Sequence, residues 1–297
     1  MSRPEGSKPP DLYYDVDESR KYDSSSRMNN IQTEITKRVL EMLDLPKEHP
    51  CLILDVGCGS GLSGEVLTDE GHYWIGCDIS KSMLEVAREK DCDGGDVLES
   101  DMGQGLPFRP GMFDGVVSIS ALQWLCYADT SEQDPKLRLN RFFSSLYSVL
   151  KRDAKAILQF YPENSEQAVL IATSASRVGF AGGIVIDYPN SSKSKKYYLC
   201  LSFERTYKVP KALGTHDGHQ ASIDLVARDS RYLLNCSKAS SSLNLIFISS
   251  NRKKGKKTKQ GIKSVEWIVQ KKERRRKQGK EVKSDSKFTG RKRAGGF

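Results

Sequence analysis

Leu54-Asp55-Val56-Gly57-Cys58-Gly59-Ser60-Gly61 (LDVGCGSG) is an apolar run that passes into a loop of alternating glycines, and Asp78 follows about twenty residues on. The spacing predicts a strand, a tight turn, a helix and a second strand ending in a carboxylate, which together form a nucleoside-binding crevice. A dinucleotide loop of the form G-x-G-x-x-G needs a third glycine where this chain has Leu62, so a pyrophosphate cradle fits poorly. A ligand with an amino-acid moiety fits better. Asp55 stands where it attracts an ammonium, bare glycine backbone permits close approach, and Asp78 is placed to accept from both ribose hydroxyls. The alternative is an ordinary strand-to-helix turn; the paired carboxylates favour the ligand.

That combination resembles motif I and the second acidic position of S-adenosylmethionine-dependent methyltransferases of the seven-stranded type. The rest of the chain is consistent with such a fold. Strands are predicted over 51–57, 73–78, 96–101, 113–120, 154–161, 183–188 and 195–203, with helical periodicity over 63–70, 80–89, 135–150 and 165–178. Ile31, Ile35, Val39 and Met42 repeat at helical spacing ahead of Pro46. Only Pro189, Asn190 and Ser191 with a few neighbours separate the last two strands, too few for a parallel crossover, so these pair antiparallel. The expected fold is α/β: a seven-stranded, doubly wound, Rossmann-like sheet with an antiparallel last strand, followed by a basic C-terminal tail.

Charge divides the chain. Residues 251–297 carry 19 Lys and Arg against 4 acids, a net +15, which leaves −6 for residues 1–250 of the overall +9. With 37% hydrophobic residues over 297, part of the length is expected to lie outside a packed core. Seven scattered cysteines (51, 58, 77, 92, 126, 200 and 236) include no C-x-x-C pair, so neither a disulfide framework nor a metal site is expected and a reducing compartment is. A polar N-terminus and the lack of any run of about eighteen apolar residues predict a soluble intracellular protein with no membrane partner.

Seven blocks carry a closer resemblance: 11–28 (DLYYDVDESRKYDSSSRM), 54–64 (LDVGCGSGLSG), 69–80 (DEGHYWIGCDIS), 101–107 (DMGQGLP), 118–126 (SISALQWLC), 161–164 (YPEN) and 187–190 (DYPN). In this order they are similar to the eukaryotic small-subunit (18S) ribosomal RNA guanine-N7 methyltransferases, the family tied to the Williams-Beuren syndrome region. The resemblance covers residues 11 to about 202 and resumes over about 264–293. It divides the chain into an N-terminal segment or lid (1–27), a methyltransferase domain (28–203), an atypical segment (204–263) and a basic tail (264–297).

The resemblance implies S-adenosyl-L-methionine as cofactor and roles for individual residues. Gly57, Gly59 and Gly61 approach its methionine part, with Asp55, Cys58 and Ser60 alongside. Asp78 and Ile79 meet the ribose, Asp101 and Met102 the adenine, and Ser118 floors the pocket. Asp101 equally suits a turn cap, and Met102 a core position. Guanine N7 presents an in-plane lone pair and loses no proton on attack, so no general base is required and positioning carries the catalysis. Trp124 is assigned as a stacking face for the base, Tyr161 and Asn164 as rim groups, and Tyr22 with Arg27 as a lid. Trp124 also suits a core aromatic, and the YPEN block a helix start.

The function implied is N7 methylation of a guanine in 18S rRNA during 40S subunit biogenesis. Methylation of another substrate, or an assembly factor whose binding matters more than its catalysis, are the alternatives. Partners implied are 18S rRNA in the pre-40S subunit, a small zinc-binding activator subunit at the edge strand 96–101, and a nuclear import receptor. Lys271, Lys272, Arg274 to Lys277 and Arg291 to Arg293 form two basic clusters that suit import and phosphate contact. A nuclear location, in nucleolus and nucleoplasm, follows, with the cytoplasm left open. Val265, Trp267, Ile268 and Val269 suit a short anchoring helix. Residues 204–263 depart from the family pattern, are expected to lack regular structure, and suggest a retained intron or shifted frame; Leu243 to Ile248 would be aggregation-prone if exposed. The loop 89–95 (EKDCDGG) is also less apolar than the family's.

Overall fold

Five apolar runs separated by helices build the parallel half of one sheet: β1 (Leu52–Val56), β2 (Tyr73–Asp78), β3 (Gly95–Glu99), β4 (Phe113–Ile119) and β5 (Leu150–Phe160). This computed structural model describes residues 3–46, 48–90, 94–128, 133–191, 193–214, 222–228, 231–236, 269, 272, 276 and 282–284. β6 (Ala181–Asp187) and β7 (Lys196–Ser202) pair antiparallel, and β7 inserts between β5 and β6. The order is β3-β2-β1-β4-β5-β7-β6, so β3 ends the sheet on one side, as the resemblance implies.

The other side carries more than expected. β8 (Ser222–Arg228) adds antiparallel to β6, and β9 (Arg231–Cys236) adds to β8, making nine strands. Both lie in the segment expected to lack regular structure. The reason is legible in the pattern: Ser222-Ile223-Asp224-Leu225 alternates polar and apolar residues at strand period, and β6 otherwise offers an open row of backbone groups.

Alternation along each strand divides the core between two faces. On β4, Val116 joins one cluster and Val117 the other; on β5, Leu158 and Ile157 do the same. α6 (Pro135–Val149) and α7 (Ser165–Val178) cover the first face through Leu139, Phe142, Leu146 and Ile171. α3 (Ser26–Leu43) and α4 (Leu62–Asp69) cover the second, with Ile35, Val39 and Met42 buried as their spacing predicts. α1 (Pro10–Tyr13), α2 (Val16–Ser24) and α5 (Lys81–Glu89) complete the helices.

Asp187, at the end of β6, is bound on both oxygens. Arg38 Nε donates to Oδ2 at 3.0 Å and Leu213 N to Oδ1 at 2.8 Å, while Arg38 also donates to the Lys211 carbonyl at 2.7 Å. The DYPN block is thus a latch joining α3, β6 and the chain beyond β7. Met1–Ile246 forms one compact unit and Phe247–Phe297 a second. In the second, Val269, Lys272 and Arg276 are helical; the rest of the two basic clusters and Leu243 to Ile248 lie outside the described residues. Among described residues no helix is long and apolar enough to cross a membrane.

Candidate active site

The carboxyl ends of β1, β2 and β4 converge on a cavity of about 100 Å³. At the end of β1 the chain turns through Gly57, whose φ of 74° excludes ordinary side chains; a Cβ there would lie 2.2 Å from that of Ala121. Gly57 N donates to the Cys77 carbonyl at 2.7 Å, fixing the loop to β2. Gly59, Cys58 and Ser60 line the cavity, and Gly61 caps α4.

Asp78 organises this loop. Its Oδ2 accepts from Gly59 N at 2.9 Å and its Oδ1 from Ser80 N at 2.8 Å. Burial raises its carboxyl above the ordinary range, outweighing the amides of Ser80, Gly59 and Ile79, which lower it. Asp78 and Ile79 both line the cavity. Asp55 sits one layer behind, fully buried, with the Ser63 hydroxyl donating to Oδ2 and no partner on Oδ1. Burial pushes its carboxyl up to about 7.

Asp101 lines the cavity and also caps a turn: its Oδ1 accepts from Gly103 N at 2.8 Å and from buried Arg138 at 3.1 Å. Met102 lines the cavity while packing against the core. Ser118 is buried on β4 with its hydroxyl unpartnered and lies outside the cavity lining; Ser120, two residues on, lines it with a φ of 58°. Gln159 holds Ser120 there, its Oε1 accepting from the Ser120 amide at 3.0 Å and hydroxyl at 2.9 Å.

The other sequence-assigned residues separate. Trp124 reaches the cavity but is buried, and Tyr13 and Tyr14 pack on it with ring centroids 6.1 Å away in each case. Tyr22 lines the cavity and packs edge-on against Tyr14. Arg27 is exposed on α3, outside the lining. Tyr161 and Asn164 are not in the lining; Asn164 caps α7, accepting from Gln167 N at 2.8 Å.

The sequence reading gave 1–27 as an N-terminal segment or lid but named only Tyr22 and Arg27 in it; the lining also includes Pro10 and Tyr14. The volume of the cavity lies below the roughly 300–1,000 Å³ usual for ligand clefts. The Tyr14 carbonyl accepts from Ser80 Oγ at 2.9 Å, and Arg3 donates to the Tyr161 and Pro162 carbonyls at 2.8 Å each. An aromatic pair, Tyr13-Tyr14, in a polar stretch was the available signal. Gly64 was also missed: a Cβ there would lie 2.2 Å from the Trp74 ring, so Gly59-x-Gly61-x-x-Gly64 supplies the close helix-to-strand packing that Leu62 seemed to deny.

The residues fit a nucleoside with an amino-acid moiety. Three buried oxygens, Asp55 Oδ1 at the end of β1, Ser60 Oγ in the glycine loop and Ser118 Oγ on β4, lack partners. Asp78, Asp101 and the apolar Ile79 and Met102 line the other end. Burial holds the Tyr14 and Tyr22 phenols protonated, so neither serves as a base. Among described residues no three His, Cys, Asp or Glu gather as a metal site.

Known proteins are similar over the whole chain. A methyltransferase domain family model matches residues 54–158, and a model for methyltransferases involved in Williams-Beuren syndrome matches 204–295. The 18S rRNA (guanine-N(7))-methyltransferase of Mus musculus is 51% identical over 98% of this chain and 96% of its own. The 18S rRNA (guanine(1575)-N(7))-methyltransferase of Saccharomyces cerevisiae is 46% identical over 99% and 98%. These spans correct the reading of 204–263 as foreign to the family, since the stretch takes the place of one of comparable length. Among solved structures, a SAM-dependent methyltransferase from Aquifex aeolicus has a TM-score of 0.47 at 18% identity, covering 63% of this chain and 98% of that one. A complex of the Haloferax volcanii Trm112 methyltransferase activator with a methyltransferase gives 0.46 at 18%, covering 63% and 98%.

Proposed function

Because the chain belongs to the family of 18S rRNA (guanine-N7)-methyltransferases, we propose that the cavity at the ends of β1, β2 and β4 is where it methylates N7 of a guanine in 18S rRNA, with S-adenosyl-L-methionine as donor. The observation that carries this placement is the glycine loop after β1, held to β2 by Gly57 N and Asp78, with Asp55 Oδ1 and Ser60 Oγ beside it buried and unpartnered. Bound there, the donor supplies a methyl group on a sulfonium that leaves without needing a proton. Asp55 Oδ1 meets its ammonium, Asp78 its ribose, and Asp101 with Met102 its adenine. The protein's part is orientation and exclusion of water. Pro10, Tyr14 and Tyr22 form the cover, Ser120 with its held backbone and Trp124 line the cavity at the β4 end, and no lining group is needed to take a proton.

The test is transfer of labelled methyl to small ribosomal subunits, with N7-methylguanine mapped by cleavage at the modified base. One modified guanine, absent with Asp78→Lys, is expected. Unmodified guanine with wild-type protein overturns the reading. If Asp78→Lys still supports pre-rRNA maturation, binding rather than chemistry is the needed activity.

A small zinc-binding activator subunit is the partner we assign to β3. Its support is the open edge of that strand, on which Leu98 is 39% exposed. Leu98→Lys is expected to abolish co-purification with the activator while leaving the isolated chain's fold intact. The basic tail is assigned to phosphate contact and to a nuclear import receptor, on the support of its two clusters of Lys and Arg. Neutralising the cluster at 271–277 is expected to move a fluorescent fusion out of the nucleus.

A further inference from the structure

Glu5 is 7% exposed, yet only one of its two oxygens is used. Oε1 accepts from Gln123 Nε2 at 2.9 Å, while Oε2 is buried without a hydrogen-bond partner. Natural proteins rarely leave a buried carboxylate oxygen unmatched unless something else pairs with it. The surroundings fix this carboxylate firmly. Arg3 pins the preceding chain to the carbonyls of Tyr161 and Pro162, and the Pro4–Gly6 turn carries Glu5 inward. Gln123 cannot rotate away: its Nε2 also donates to the Ser120 carbonyl at 2.7 Å, and its Oε1 accepts from Tyr161 N at 3.3 Å. Ser120 and Trp124, on either side of Gln123, both line the cavity.

Resting on the reading of N7 guanine methylation, we infer that Glu5 is the base-selecting residue, its free Oε2 accepting from the N1–H and N2–H edge of the target guanine. The chemistry is specific. A base offering N7 to the methyl donor turns its Watson–Crick edge away from it, and on guanine that edge carries two adjacent donors. Adenine presents an acceptor at N1, which a carboxylate repels. A fixed carboxylate with one unpartnered oxygen, just outside the present cavity lining and tied through Gln123 to the lining residue Ser120, matches guanine and rejects adenine. A site built around such a bond loses far more by its absence than an apolar contact would.

The test compares wild-type chain with Glu5→Gln, which keeps the shape and the Gln123 contact but replaces the acceptor pair with a donor and an acceptor. Methyl transfer to small subunits is expected to fall about 10²-fold, the usual loss for a group aligned on the reacting species, with affinity for S-adenosylmethionine changed less than about twofold. Guanosine monophosphate is expected to inhibit the wild type well below the concentration at which adenosine monophosphate does, and Glu5→Gln to lose that difference. Transfer by Glu5→Gln within about threefold of wild type, or loss of donor affinity in step with rate, would overturn the assignment, the latter by showing a purely structural role. Wild-type transfer to a base other than guanine would sink the functional reading itself and this assignment with it.

Discussion

Asp55 and Asp78 are both carboxylates at strand ends, but their surroundings give them different work. Asp78 spends both oxygens on backbone amides and so shapes the glycine loop before any ligand arrives. Asp55 keeps Oδ1 free in a fully buried place, where ionisation is costly, and its carboxyl rises to about 7. Because the folded chain holds that proton more tightly than an unfolded carboxylate near 3.9, Asp55 lowers stability as pH climbs from about 4 through 7. Only the ionised form pairs with an ammonium, so donor affinity is expected to increase roughly eightfold from pH 6 to 7.5. Asp55→Asn is expected to flatten that profile, weaken binding at pH 7.5, and gain thermal stability relative to wild type between pH 5 and 8. Calorimetric titration and melting curves across this range check all three; a wild-type affinity independent of pH would refute the role. Gly57→Ala is a sharper case, since its Cβ would lie 2.2 Å from that of Ala121 at a positive φ, and loss of donor binding with a lowered melting temperature is expected.

The elements were legible where period and punctuation agreed. β1, β2 and α7 match their expected bounds within a residue or so, because apolar runs end at Gly or at a cap such as Asn164. The β6–β7 pairing followed from loop length alone. What the sequence hid was partnership at a distance: Glu5 finds Gln123 and Arg3 finds Tyr161. Local pattern carries no record of such pairs. β8 and β9 were missed for another reason, since the weight given to an unfamiliar composition overrode a readable alternation. Arg38 and Asp187 are again distant partners, with side chains 10% and 2% exposed. Asp187→Ala leaves Arg38 paired only with the exposed Glu41 at 2.8 Å and takes the acceptor from Leu213 N, so it is expected to cost up to about 3–5 kcal/mol, or at most roughly 6–20 °C in melting temperature. The double change Arg38→Met with Asp187→Leu is expected to cost less than either single change. Equal losses for single and double changes would show that the carbonyl of Lys211 and the amide of Leu213, rather than the ion pair, hold the latch.

For the whole molecule the decisive quantity is where charge sits. A −6 portion carrying the cavity and a +15 portion of 47 residues match the proposed division between chemistry and attraction to a polyanion. Each tail cation that meets a phosphate releases a condensed counterion, and the binding constant for RNA then falls with salt in proportion to the number of such contacts. Lys271, Lys272, Arg274, Arg275, Arg276 and Lys277 supply six positive charges within seven residues. If all six meet phosphates of single-stranded RNA, changing them to Gln is expected to lessen the slope of log K against log salt by about 4. Donor affinity, set by the glycine loop and its carboxylates, should not move. The rate of transfer at saturating subunits should also be retained if the proposed use of the tail is to raise local encounter. Filter binding of 18S rRNA fragments between 50 and about 300 mM salt reads the slope directly. A slope unchanged by the six substitutions would remove the tail from the RNA contact and leave nuclear import as its use; a slope lowered by much less than about 4 would mean that only part of the cluster reaches phosphate at once.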